Sequence, residues 1–275
     1  MMSQSTFDTL SDHDAEKPNH MIFWLDASIG NPKEYIHLKK AFASNTDPRH
    51  ETWTMLNDKD YDKLLAATEA QEVKFEGVRF LLQAFTNEKD CLEAFEKNQD
   101  KRIFFISSGL LGMHIVPKII ERYRHIFTDL ITNQPYLSIY LFCHDVEGHA
   151  NWAIEYIDYI LIFDFDADLL ERMTLDISKY FIERGKRLQQ DNDLDGALQR
   201  LHWAKILCHR HDKMKQQIST DTPQPMQESQ TMKGINALIG EIENMLPEES
   251  SLRNRNSSDN DDNDEEYVQS SEPSS

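Results

Sequence analysis

The chain has little cysteine, little glycine, no surplus of positive charge and no long apolar run, and each lack closes off a class. Its three cysteines, Cys91, Cys143 and Cys208, are odd in number and far apart in 275 residues, so no disulfide framework is expected and a reducing compartment is. Nine glycines and nine prolines argue against a fibrous or low-complexity chain. Asp and Glu outnumber Lys and Arg by 48 to 29, for a formal net charge of −19. Such a chain repels phosphate backbones and anionic lipid, so no nucleic acid and no membrane is expected as partner, and a protein or peptide is. No apolar run reaches the roughly 18 residues that suggest a membrane span. The first 20 residues are polar and acidic, with neither the apolar core of a signal peptide nor the Arg-rich pattern of a transit peptide. These points together predict a cytoplasmic protein.

Five short apolar runs stand out from this polar background: 21–25, 78–82, 103–106, 137–142 and 159–163. Runs that are apolar throughout, rather than alternating, mark strands buried on both faces of a sheet. Between them lie segments with helical spacing. Tyr35, Leu38, Ala41 and Phe42 follow Pro32, a helix-start signal, and Cys91, Leu92, Ala94 and Phe95 follow Asn87, a candidate cap. Ser107-Ser108-Gly109 turns into a helix carrying Ile115, Ile119, Tyr123 and Ile126, with Pro117 placed in its first turns. Strands alternating with helices predict an α/β fold with a five-stranded parallel sheet in the flavodoxin-like order 2-1-3-4-5. The polar stretch 44–77 reads as an irregular insertion with one helix near 59–70.

The expected organisation is an arm (1–20), an α/β domain (21–165), a helical hairpin (166–213), a linker (214–231), an amphipathic helix (232–247) and a disordered acidic tail (248–275). The tail is Ser, Asn, Asp and Glu with almost no apolar residue, too little to offset its ordering entropy.

Parallel sheets bind ligands at the carboxyl ends of their strands, where the strand order reverses. In the predicted order that crevice presents Asp26 and Ser28 beside Ser107, Ser108 and Gly109, with Asp145 and Asp164 further along the same edge. Asp26 at the end of the first strand has no adjacent acidic residue, and the fifth strand ends in Asp164 rather than a cation, which argues against a phosphoacceptor. The expected role of Asp26 is a turn former. Ser107 to Gly112 is neither a P-loop nor a dinucleotide fingerprint. Cys143-His144-Asp145, with His149 nearby, and Cys208-His209-Arg210-His211 lack the ligand spacing of a zinc site, and residues adjacent on a strand point to opposite faces. No catalytic residue, metal or cofactor is expected.

The segment 178–211 resembles a tetratricopeptide repeat over about 34 residues. Gly185, Ala197 and Ala204 stand at its small positions, twelve and then seven residues apart, with Leu188 and Leu201 at large ones. Arg184, Phe181 and His209 depart from the leucine, tryptophan and closing proline of that family. One repeat cannot bury both faces alone, so this hairpin must pack on the α/β part, on the 232–247 helix or on a partner. The span 21–213 is similar to a receiver-like N-terminal domain of invertebrate multidomain proteins that carry tetratricopeptide arrays or an arginine-specific mono-ADP-ribosyltransferase domain. The residues that carry this likeness are Phe23-Trp-Leu-Asp-Ala27, Ile106 to Gly112, Ile115-Val-Pro117, Tyr140-Leu-Phe-Cys143 and Trp152. The resemblance implies an accessory interaction module. The expected function is therefore a non-enzymatic protein-interaction or regulatory module. The alternatives are a small-ligand or nucleotide-binding α/β protein using Asp26, Ser28, Ser107, Ser108, Gly109 and Asp164, or a degenerate transferase relative that lacks the catalytic domain. Glu241 and Glu243 have the Glu-x-Glu spacing of such a transferase but fall on the solvated face of a short helix.

Overall fold

A computed structural model of the chain describes residues 18–47, 52–129, 131–219 and 228–246. Most of the expected arm (its residues 1–17), the whole expected tail (248–275) and residues 220–227 of the expected linker lie outside the described residues.

The fold is α/β, built on a mixed, mostly parallel sheet. Its strands are β1 (His20–Leu25), β2 (Phe42–Asp47), β3 (Thr52–Met55), β4 (Gln71–Phe75), β5 (Val78–Phe85), β6 (Arg102–Ser108), β7 (Ile139–Phe142) and β8 (Ile160–Phe163). Their order across the sheet is β3-β2-β4-β5-β1-β6-β7-β8. The five apolar runs form the parallel part, β5-β1-β6-β7-β8. All six residues of β1 are buried, as the central strand of a doubly covered sheet requires.

The expectation of a five-stranded, purely parallel sheet is corrected, because the sheet has eight strands. The polar stretch 44–77 is not irregular. It contributes β3, β4 and most of β2, all paired antiparallel, and the helix α2 (Asp58–Ala66). β4 joins β5 through a two-residue turn in which Glu76 (φ 48°) and Gly77 (φ 92°) both take left-handed backbone, as type I′ hairpins demand. The helix expected after Pro32 shrinks to α1 (Ile36–Lys40), which Tyr35 opens in a left-handed conformation, and Phe42 begins β2 instead of closing the helix.

The remaining helices are α3 (Glu88–Lys97), α4 (Gly109–Tyr123), α5 (Val146–Ala153), α6 (Asp166–Gln190), α7 (Leu194–Ser219) and α8 (Gln230–Met245). Asn87 caps α3 by accepting from the Asp90 N–H at 3.0 Å. Pro117 lies inside α4, just past its second turn. The strand pleat sends alternate side chains to opposite faces. Ile22, Trp24, Phe80, Leu82, Phe104 and Tyr140 face α1, α2, α6 and α7, with α8 packed outside α7. Met21, Phe23, Leu25, Ile103, Phe105 and Leu141 face α3, α4 and α5.

α6 and α7 form an antiparallel hairpin. Asp191-Asn192-Asp193 turns it, with Asn192 left-handed (φ 63°) and the Asp193 carboxylate accepting from the Gly196 N–H at 3.0 Å. Gly185, Ala197 and Ala204 meet at its seam. A Cβ on Gly185 would stand 2.9 Å from Leu201 Cγ and 3.3 Å from the Ala197 carbonyl, and both alanines are fully buried. The Ser178 hydroxyl donates to the Ala204 carbonyl at 2.9 Å across the same seam. α7 runs to Ser219, into the segment expected as linker.

Candidate functional site

The carboxyl ends of the parallel strands gather the residues singled out by the sequence, but most of their polar atoms are already engaged. Asp26, at the end of β1, is buried. Its Oδ1 accepts from the Ser28 N–H at 2.5 Å, its own N–H donates to the Phe85 carbonyl at 2.9 Å, and Oδ2 accepts from the Tyr35 hydroxyl. Burial first, and the Asp26 carboxylate second, push the Tyr35 phenol well above its ordinary value, so it stays a donor. The Tyr35 ring lies against Trp24 of β1 (centroids 5.1 Å) and Phe142 of β7 (4.8 Å). Since β6 runs between those strands, the ring lies over the crevice at the point where the strand order reverses.

Ser107 is fully buried, and its hydroxyl donates to the Ser108 carbonyl at 3.2 Å. Ser108 holds the cap position of α4 with extended backbone, yet its side chain caps nothing. Gly109 is a packing glycine: a Cβ there would stand 2.6 Å from Cys143 Cβ and 2.8 Å from His149 Nε2. Ser28 is exposed beside Asp26, and Asp164 points to solvent at the end of β8. Asp145 caps α5 by accepting from the Gly148 N–H at 2.9 Å.

Cys143 and His149 both pack on Gly109, though the sequence separates them by six positions. They make no nucleophile–base pair. The His149 Nδ1 accepts from the Trp152 indole N–H at 3.1 Å, so in the neutral ring Nε2 carries the proton and cannot take one from a thiol. Burial pushes the Cys143 thiol up, and the Asp145 and Asp164 carboxylates push it further, which disfavours the thiolate. Cys208 is likewise raised by burial. Among the described residues no group of three or more His, Cys, Asp or Glu side chains could hold a metal ion, and no helix is long and apolar enough to cross a membrane.

Two features of this edge escaped the sequence. Asp166, at the first turn of α6, is buried and accepts from the His37 N–H (2.7 Å), the Leu38 N–H (3.2 Å) and His37 Nδ1 (2.8 Å). It thereby closes the open end of the five-residue α1 with a carboxylate more than 120 residues away. The second feature is apolar. Ile36 after β1, Leu110 after β6, Val146 after β7 and Phe165 after β8 are exposed by 47, 63, 37 and 49% at the same edge. Phe165 packs on the His37 ring (5.2 Å), and the half-exposed His37 continues the patch. Exposed large apolar side chains on four successive strand ends were hidden in the sequence, because helix starts and buried runs use the same residue types. Comparisons with protein-family models, with curated proteins and with solved structures return no match to this chain.

Proposed function

We propose that the chain is a protein-interaction module, with no catalytic chemistry of its own, that docks an apolar-anchored, basic segment of a partner protein on the carboxyl edge of its parallel strands. One observation carries this reading: the edge exposes Ile36, Leu110, Val146 and Phe165 while the Asp26 carboxylate and the Ser107 hydroxyl are engaged internally. Contiguous apolar side chains rimmed by charge mark interaction surfaces. The rim holds exposed Asp145, Glu147, Asp164 and Asp168, which favours cationic partners. The likeness of residues 21–213 to receiver-like accessory domains, and of 178–211 to a tetratricopeptide repeat, supports the same role. So does the flavodoxin-like order of the five parallel strands, a scaffold whose carboxyl edge commonly carries function. Three unpaired cysteines fit a cytoplasmic setting.

The test is affinity capture with the full chain, comparing wild type with a Leu110→Glu/Phe165→Glu double variant and with Met55→Glu, which alters an exposed apolar residue on the distant β3 edge. A partner retained by wild type and Met55→Glu and lost by the double variant is the expected result. Identical capture by all three would refute the edge as the docking surface. Binding of a small ligand at Asp26, Ser107 and Ser108 would require Tyr35 to leave the crevice. A thermal shift with nucleotides or phosphosugars that disappears in Asp26→Ala and Ser108→Ala would favour that reading instead.

A further inference from the structure

β8 is the last strand of the sheet, paired with β7 on one side only. The Tyr159 carbonyl accepts from the Ile139 N–H at 3.3 Å, and the Phe163 carbonyl from the Cys143 N–H at 2.8 Å. Along a strand the residues that bond one neighbour alternate with those that face the other way, so Ile160 and Ile162 direct their N–H and C=O groups outward. No backbone group among the described residues takes them up. Open edges are commonly blunted by a Lys, a Pro or a bulge. β8 has none of these: it reads Ile160-Leu-Ile-Phe163, in unbroken register with β7. Ile162 packs toward α5, Leu161 and Phe163 pack toward α6, and all three stay half-buried. Ile154 and Ile157, on the segment that leads from α5 into β8, are 67 and 65% exposed. Charge is one-sided here. Between Arg124 and Arg172 the sequence has no Lys or Arg, and exposed Glu155 and Asp158 precede β8 while exposed Asp164 and Asp168 follow it.

We propose that β8 accepts an added β-strand from a partner protein: an extended run of about five residues, apolar at alternate positions and flanked on both sides by Lys or Arg. The backbone of that strand bonds the outward N–H and C=O groups of Ile160 and Ile162. Its apolar side chains cover the half-buried flanks of β8 and the exposed Ile154 and Ile157, and its cations meet Asp158 and Asp164 at the two ends. A second copy of this chain fits less well. Two β8 strands paired antiparallel about a two-fold axis would bring Asp158 of one copy beside Asp164 of the other at both ends, and like charges across a strand pair are destabilising. The strand-end surface is a separate one that shares Asp164 and Asp168 with this edge, and strand addition stands whether or not that surface docks a partner. The flanking carboxylates are exposed, so their share of the recognition is small and falls with salt.

The experiment is a ¹H–¹⁵N titration of the full chain, with amide hydrogen exchange, against three capped peptides. The probe is Lys-Lys-Val-Thr-Val-Thr-Val-Lys-Lys. One control replaces its four Lys by Glu, and the other replaces its central Thr-Val-Thr by Pro-Pro-Pro, which keeps the charge and removes the N–H donors. The probe is expected to shift and protect the Ile160 and Ile162 amides and to leave the exchange of Leu161 and Phe163, which face β7, unchanged. Neither control is expected to do so. Asp158→Lys/Asp164→Lys changes two exposed side chains, and an unchanged melting midpoint is expected. That variant should bind the probe about three- to tenfold more weakly and should bind the acidic control instead. Equal protection by the proline control, or equal affinity in the charge-reversed variant, would overturn the proposal. Shifts at Leu110 and Val146 without protection of Ile160 and Ile162 would also overturn it, placing the peptide on the strand-end surface. A concentration-dependent dimer that protects Ile160 and Ile162 without peptide would overturn it in favour of a second copy.

Discussion

His20 shows how one residue ties the sheet to the hairpin and makes stability depend on pH. It opens β1, its Nε2 donates to the Arg79 carbonyl at 2.8 Å, and its ring meets Phe80, Phe181 and Trp203 at 4.4, 5.0 and 5.1 Å. Burial, opposed in part by the Arg79 carbonyl, pushes the imidazole down to about 3. The folded chain therefore keeps His20 neutral while the unfolded chain protonates it below about 6.5. The stabilisation is complete above that pH and is lost progressively as pH falls from 6.5 toward 3. By pH 5 the loss amounts to about 2 kcal/mol. Urea unfolding of wild type and His20→Gln at pH 7.5 and 5 checks this. The variant starts less stable, because it loses three ring contacts, and the gap narrows by about 2 kcal/mol at pH 5. Parallel pH profiles would refute the assignment. Tyr35 invites a second substitution. Tyr35→Phe strands a buried Asp26 oxygen, and a drop of about 1–3 kcal/mol in unfolding free energy is expected. The Tyr35→Phe/Asp26→Asn double variant should lose less than the sum of the single changes, because both break one contact. At this scale the sequence was partly legible. Asp26 was recognisable as a turn former at a strand end, but nothing near it announced Tyr35 as its partner. Asp166 looked like one more acid in Asp164-Phe-Asp166-Ala-Asp168, and only the fold brings it to the open N–H groups of α1.

The elements most legible in the sequence were those whose residue pattern has one physical cause. A strand such as Ile103-Phe-Phe-Ile106 is apolar throughout because helices cover both faces, and that cause leaves its mark within the strand itself. The added antiparallel strands lacked such a mark. β4 buries only Val73 and Phe75 of Gln71–Phe75, β3 is four residues long, and the turn between β4 and β5 is Glu76-Gly77 rather than the more telling Asn-Gly. Phe42 was read as the last apolar point of a helix because its spacing from Leu38 fits a helix as well as a strand start. The hairpin glycine gives a quantitative test. In a helix interior Ala is favoured over Gly by about 1 kcal/mol. At Gly185 that gain meets a Cβ only 2.9 Å from Leu201 Cγ and close to a backbone carbonyl that cannot move aside, and overpacking costs about 1–3 kcal/mol. Gly185→Ala is therefore expected to destabilise by about 1 kcal/mol net. Gly234 and Gly240 of α8 have open space where a Cβ would go, so Gly234→Ala and Gly240→Ala should each raise stability by about 0.5–1 kcal/mol. Thermal melts of the three variants check the contrast. A stabilised Gly185→Ala would mean that α6 and α7 do not meet as closely as this seam.

At the scale of the whole molecule, the hairpin is half of the cover that the sheet requires. Phe104 packs on Tyr180 (5.7 Å), Phe80 on Phe181 (6.2 Å) and His20 on Trp203, so α6 and α7 rest directly on β1, β5 and β6. Polar ties reinforce the contact. Asp129, which follows α4 before β7, is held well below the usual carboxylate range despite its desolvation, by the Thr132 and Ile131 N–H groups and by Arg187 of α6. Arg102 is buried at the start of β6 against the rings of Tyr136 (3.7 Å) and Tyr180 (5.1 Å), and donates to the Ile126 carbonyl at 2.5 Å. A chain cut after Phe165 would lose Tyr180, Phe181, Arg187 and Trp203 together. It would uncover Phe80, Phe104 and Tyr140, all but fully buried in the whole chain. Each such side chain contributes about 1.5–3 kcal/mol on burial, a sum comparable with a typical domain's net stability of about 5–15 kcal/mol. The fragment 1–165 is therefore expected to lack a cooperative thermal transition, to lose near-ultraviolet circular dichroism and to bind an apolar dye. A dispersed amide spectrum and a sharp melt from that fragment would show instead that the sheet stands without its hairpin, and that α6 and α7 are free to serve a partner.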